Sequence, residues 1–122
     1  MLRHVRSVLA VKDLASSVSF YREKLGFVID FEVEGWCFIS RDHFRLMLGH
    51  CPDQASASQL GDHSYFAYVG VDSVDELFEE FRARGLTPSQ GPEDKPWGLR
   101  ELAIETPDGH RIMFGQEIEQ VS

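Results

Sequence analysis

The chain has 122 residues, 43% of them hydrophobic, and a formal net charge of -8. That length predicts one domain able to bury about two-thirds of its unfolded surface. The acidic balance argues against nucleic acid, whose phosphates reward basic surfaces, and no apolar run approaches the ~18 residues that span a membrane.

Met1-Leu2-Arg3-His4 lacks the apolar core of a signal peptide, and Cys37 and Cys51 make no disulfide framework, so the cytoplasm is the expected compartment. Val5 to Val11 reads as a strand rich in β-branched residues. Asp13 offers an N-cap, and Leu14, Val18, Tyr21 and Leu25 form the apolar stripe of a helix stopped by Gly26. Val28 to Glu34 alternates, predicting Ile29, Phe31 and Val33 on one face and Asp30, Glu32 and Glu34 on the other. Gly35 turns the chain into Trp36 to Arg41, and Arg41-Asp42-His43 turns it again into Phe44 to Gly49. Residues 51–63 show no periodicity and read as a linker.

The second half repeats the first. Ser64 to Val71 reads as a strand, and Ser73 with Glu76 as a capping box that opens a helix. Val74, Leu77, Phe78 and Phe81 make its buried stripe, and Gly85 stops it. Val11 then matches Val71, Asp13 matches Ser73, Leu14 matches Val74 and Val18 matches Phe78, all sixty positions apart. Thr87 to Ser89 reads as a short strand. Leu99 to Glu105 and His110 to Gly115 read as a hairpin, since Pro107 presets φ for the turn and Gly109 accepts a positive one. Before it, Trp97 sits between Pro96 and Gly98, either as a lid on the core or as a ligand contact.

The expected class is therefore α+β. Two βαβββ repeats, about residues 4–50 and 64–116 of a single domain, would form a curved mixed sheet with a cleft. Unpaired sheet edges predict a homodimer.

This pattern resembles the vicinal oxygen chelate superfamily, which includes glyoxalase I, extradiol dioxygenases and fosfomycin-resistance enzymes. Within it the chain is most similar to the bleomycin resistance proteins. Ser7 to Phe27 (SVLAVKDLASSVSFYREKLGF) resembles the family's opening strand and helix. Asp30-Phe31 resembles an acidic-aromatic pair, and KPWGLRELAIETPDGHRIMFGQ resembles the family's Pro-Trp-Gly, Arg-Glu-Phe and Asp-Pro-x-Gly signature. Leu102 departs from the usual Phe, Thr106 from the usual Asp, and Ser7 from a proline that begins an exchanged N-terminal arm.

The superfamily's metal enzymes use His, Gln or Glu on the first and last strands of each repeat. Carried over by register, those positions fall at Arg6, Met47, Phe66 and Met113, none a usual ligand for a divalent metal. A one-residue slip places Ser7 or Val5, Tyr65 or Ala67, and Leu46 or Leu48 there instead. The five histidines have no chelating spacing, and Cys37 has no evident base beside it. The resemblance thus implies a protein without catalytic residues, metal or cofactor that sequesters a cationic, aromatic antibiotic. Its ligand-binding residues would be Asp30, Phe31, Trp36, Phe38, Met47, Trp97 and Met113, with a small molecule as partner and neither nucleic acid nor membrane. The alternatives are a metal-dependent lyase, thiol transferase or dioxygenase of the same superfamily, and a ligand-free dimeric interaction domain.

Overall fold

A computed structural model describes residues 1–53 and 65–118. The order of elements is β1 (Ser7–Val11), α1 (Leu14–Leu25), β2 (Val28–Val33), β3 (Trp36–Arg41) and β4 (Phe44–His50). There follow β5 (Tyr65–Gly70), α2 (Val74–Ala83), β6 (Gln90–Asp94), β7 (Leu99–Glu105) and β8 (Arg111–Glu117). The chain divides into two compact units, Met1–Ala55 and Ser56–Ser122. Each unit runs strand, helix, three strands and forms its own four-stranded mixed sheet, so the fold is α+β. Of the expected linker, everything from residue 54 on lies outside the described residues, as does Ser64. Among the described residues no helix is long and apolar enough to cross a membrane.

In the first unit the strand order is β1-β4-β3-β2, with β1 parallel to β4 and the other pairs antiparallel. The Asp13 side chain accepts the Ser16 N–H at 3.1 Å, satisfying one orphan donor at the start of α1, and Gly26 ends the helix at φ 76°. Val18, Tyr21 and Leu25 are buried as the stripe predicts. They cover the face that carries Leu9, Val11, Cys37, Ile39, Leu46 and Leu48. Each such aliphatic side chain contributes about 1.5–3 kcal/mol by leaving water, so this face is the core.

The second unit has the order β5-β8-β7-β6, with β5 parallel to β8. Ser73 Oγ accepts the Glu76 N–H at 3.1 Å, but the reciprocal bond of the expected capping box is not made. Val74 and Phe81 are buried, and Leu102, Ile104, Ile112 and Phe114 fill the facing side of the sheet. Gln116 accepts the Val74 N–H at 2.9 Å, and Arg100 binds Asp75 at 2.9 Å and Asp94 at 2.8 Å. These contacts tie the N-terminus of α2 to the end of the hairpin.

Three strand expectations need correction. β1 begins at Ser7 rather than Val5, because pairing with β4 starts at Ser7 opposite Leu46. The alternation of β2 is broken by a register shift between Ile29 and Phe31. Ile29 pairs with Ile39 on the core face, whereas Phe31 pairs with Phe38 on the other. Thr87 to Ser89 is not a strand; the edge strand β6 lies at Gln90–Asp94, paired with β7 through Gln90–Ala103 and Asp94–Arg100. Gly91 is required there, since a Cβ would collide with the Glu101 carbonyl. The hairpin forms with Leu99 to Glu105 as expected and with its return strand at Arg111–Glu117 instead of His110 to Gly115. Gly109 takes φ 81°, and Thr106, which replaces the usual Asp, accepts the His110 N–H on Oγ1 at 3.1 Å. Leu102 fits the core with no exposed surface.

Candidate functional site

Each sheet has one face covered by its helix and one open face, and side chains alternate between them. On the open face of the first unit, Val8 pairs with Met47, Met47 with Phe38, Phe38 with Phe31, and Val33 with Trp36. Val8, Phe31, Val33 and Trp36 are exposed, while Phe38 and Met47 are half-buried. Phe31 and Phe38 meet edge to face with centroids 5.7 Å apart. Trp36 lies over Gly49, where a Cβ would sit 2.9 Å from its ring.

The bulge in β2 also brings Asp30 toward this face. Asp30 Oδ1 accepts the Ser40 hydroxyl at 3.0 Å, and Asp30 Oδ2 lies 3.5 Å from the Arg6 guanidinium. Arg6 is itself fixed by the carbonyls of Ile39 and Leu46, at 3.2 and 3.1 Å, and stacks 5.2 Å over Phe38. Five of the residues picked from the sequence, Asp30, Phe31, Trp36, Phe38 and Met47, thus share one face of one unit. The charge of Asp30 already has a cation beside it.

Trp97 and Met113 belong to the second unit. Met113 pairs with Tyr68 and with Ala103, as Met47 pairs with Val8 and Phe38, so the two methionines occupy corresponding positions. Trp97 is 62% exposed and is therefore no lid packed on the core. Its indole N–H donates to Glu101 Oε2 at 3.3 Å, and the Tyr68 hydroxyl donates to the same oxygen at 2.8 Å. Tyr68 reaches that oxygen across Gly115, where a Cβ would strike its hydroxyl. Burial, then the hydrogen bond to Glu101, pushes the Tyr68 phenol up to about 12, which keeps it a neutral donor.

Sequence reasoning did not single out Tyr68 and Glu101 as site residues. The signal was present for Glu101. It shares with Leu99 and Ala103 the side of β7 turned away from α2, and it faces Gly115 as Trp36 faces Gly49.

A catalytic metal does not fit these residues. Among the described residues no group of three or more His, Cys, Asp or Glu could hold a metal ion. The corresponding positions are Arg6, Met47, Phe66 and Met113; Arg6 is committed to two carbonyls and Asp30, and Phe66 packs against His110 at 5.7 Å. Burial lowers the His110 pKa and favours the neutral ring. His63 lies outside the described residues. The Cys37 thiol is buried and pushed up, by burial first and then by the Glu32 carboxylate, so it is no activated nucleophile. A groove of about 560 Å³ on the helix side of the first sheet is lined by Leu14, Val18, Arg22, Glu32 and Cys37, and only Trp36 of the expected site residues borders it.

Residues 2–114 match the Glyoxalase/Bleomycin resistance protein/Dioxygenase superfamily. A bleomycin resistance protein of Geobacillus stearothermophilus is 28% identical over 124 aligned residues, covering 91% of this chain and 94% of the relative. The bleomycin-binding protein of Streptomyces verticillus, solved with copper(II)-bleomycin, superposes with a TM-score of 0.70 at 23% identity, covering 98% of both chains. A glyoxalase/bleomycin resistance protein/dioxygenase from Nocardioides gives a TM-score of 0.75 at 23% identity, covering 100% of this chain and 87% of the other.

Proposed function

We propose that this chain, which belongs to the glyoxalase/bleomycin resistance protein/dioxygenase superfamily, is a binding protein that sequesters a cationic, aromatic small molecule of the bleomycin kind. The observation that carries this reading is the open face of the first unit. Phe31, Trp36, Phe38 and Met47 line it with aromatic and thioether surface where metal chemistry would need imidazole or carboxylate. Exposed aromatic surface of this kind suits a flat ligand, and stacking with cation–π attraction is worth ~0.5–2 kcal/mol per contact.

Relatives that bear the name bleomycin resistance protein, and a solved relative holding copper(II)-bleomycin, support the ligand class. Such a protein makes and breaks no bond. It protects by mass action, holding the drug away from its target in the cytoplasm. Strands β1, β2, β5 and β6 lie at sheet edges, which supports a homodimer. The single-domain reading, with repeats at about 4–50 and 64–116, belongs to the same proposal.

Titration with bleomycin tests it. Tryptophan fluorescence should be quenched saturably, and Trp36→Ala and Trp97→Ala should each reduce the response. Absence of quenching in the wild-type protein, together with no rise in melting temperature at excess drug, would sink the proposal.

A further inference from the structure

The binding reading needs a residue that receives the ligand's positive charge, and the second unit holds a better candidate than Asp30. Glu101 is only 7% exposed, and its hydrogen-bond partners among the described residues are two neutral donors, the Tyr68 hydroxyl and the Trp97 indole N–H. Both donate to Oε2. Oε1 takes no hydrogen bond among the described residues, yet it is not sealed from solvent. The cations beside it pair with other carboxylates: Lys95 binds Glu93, the strand partner of Glu101, at 3.0 Å, and Arg100 binds Asp75 and Asp94. A carboxylate so withdrawn from water, with one oxygen left over, gains most from an incoming cation that also donates hydrogen bonds.

The two donors flank the carboxylate with aromatic surface. Tyr68 is 52% exposed and Trp97 62%, although the polar atom of each is tethered to Glu101. Lys95 already lies 5.9 Å from the Trp97 ring centroid, so that ring attracts a cation even within the chain. Fixed aromatic faces beside a carboxylate are the chemistry that recognises an ammonium or guanidinium group on an aromatic body. Asp30 differs, because Arg6 and Ser40 already occupy both of its oxygens.

We infer that Glu101, held between Tyr68 and Trp97, receives the ligand's alkylammonium or guanidinium group and sets the preference for cationic over neutral ligands. This rests on the binding function proposed above.

The test compares two probes of one shape, 2-(2-naphthyl)ethylammonium and 2-(2-naphthyl)ethanol, by calorimetric titration. The wild-type protein should prefer the ammonium by about tenfold, as one charge-assisted contact would give. Glu101→Gln keeps an oxygen for Tyr68 and Trp97 but loses the charge, and it should bring the ratio close to one. Glu79→Gln removes a charge from the exposed side of α2 and should leave the ratio intact. Should Glu101→Gln fail to fold, the wild-type Trp97 indole N–H proton resonance is the readout; it should shift with the ammonium and not with the alcohol. A preference that survives Glu101→Gln, or that Asp30→Asn abolishes instead, overturns the assignment and leaves the binding function standing. Bleomycin binding without binding of either probe overturns the ligand class named here. Failure of bleomycin and both probes overturns the function as well.

Discussion

The open faces of the two units use one device in two ways. In each, a glycine on the last strand lets an aromatic side chain lie across it: Trp36 over Gly49, and Tyr68 over Gly115. In the first unit the aromatic comes from β3, in the second from β5, the counterpart of β1. The position opposite the glycine holds Trp36 in one unit and Glu101 in the other. The repeats therefore keep the geometry of the central strand and differ in which neighbour supplies the ring. They also differ in charge, because the first unit pairs its carboxylate with Arg6 while the second leaves Glu101 with neutral donors. The first face is thus built for stacking, the second for stacking around a negative charge.

The largest expected effect comes from filling the two glycines. Gly115→Ala should destabilise the protein by about 1–3 kcal/mol, the usual range for overpacking, because the Tyr68 hydroxyl must leave a buried carboxylate. Gly49→Ala should cost less, because Trp36 has no polar tether among the described residues and can tilt outward. Urea denaturation of both variants measures the difference; an equal loss at the two sites would show that Tyr68 is not held by Glu101.

A smaller effect should follow from Arg6→Ala, which removes hydrogen bonds to Ile39 and Leu46 and the ion pair with Asp30. Its cost should be about 1 kcal/mol, since exposed ion pairs contribute little and part-buried hydrogen bonds about that much. Its value lies in the charge. With Arg6 gone, Asp30 becomes a second uncompensated carboxylate, and ammonium binding should tighten. Unchanged ammonium affinity in this variant would mean that the first face takes no part in charge recognition.

Much of this frame was legible in the residues. Asp13 and Gly26 bound the first helix, Ser73 and Gly85 the second, and Pro107 with Gly109 the hairpin, because caps and turns depend on local chemistry. The edge strand β6 was not legible, since Gln90-Gly91-Pro92-Glu93-Asp94 has neither apolar alternation nor β propensity and is a strand only by pairing with β7. The bulge at Asp30 was hidden for a related reason. A period of two assumes unbroken pairing, and only the register against β3 shows where it breaks. Tyr68 and Glu101 lie 33 positions apart, so their bond follows from the parallel and antiparallel partners of β8 and from no local motif. Trp97 stood out as an aromatic in a polar loop, but the carboxylate that orients it became visible only in three dimensions.

The smallest predicted effect separates the units by pH. Tyr68 stands where the first unit has Val8, so only the second face carries a phenol at this position. Its pKa rises from 10.0 to about 12, by burial first and by the bond to Glu101 second. A raised folded-state pKa means that the neutral phenol is the form stabilised by folding. Its contribution is fully present below the unfolded value of 10.0, and it is lost as pH climbs through about 12. Stability should therefore fall more steeply over that window in the wild-type protein than in Tyr68→Phe. Phenolate absorbance should show a late-ionising component in the wild-type protein that Tyr68→Phe loses. Glu101→Gln should bring that ionisation down only part of the way, because burial remains when the carboxylate charge is gone. Complete reversion in Glu101→Gln would make the carboxylate the dominant cause. No change at all would mean that the Tyr68 hydroxyl points elsewhere in solution.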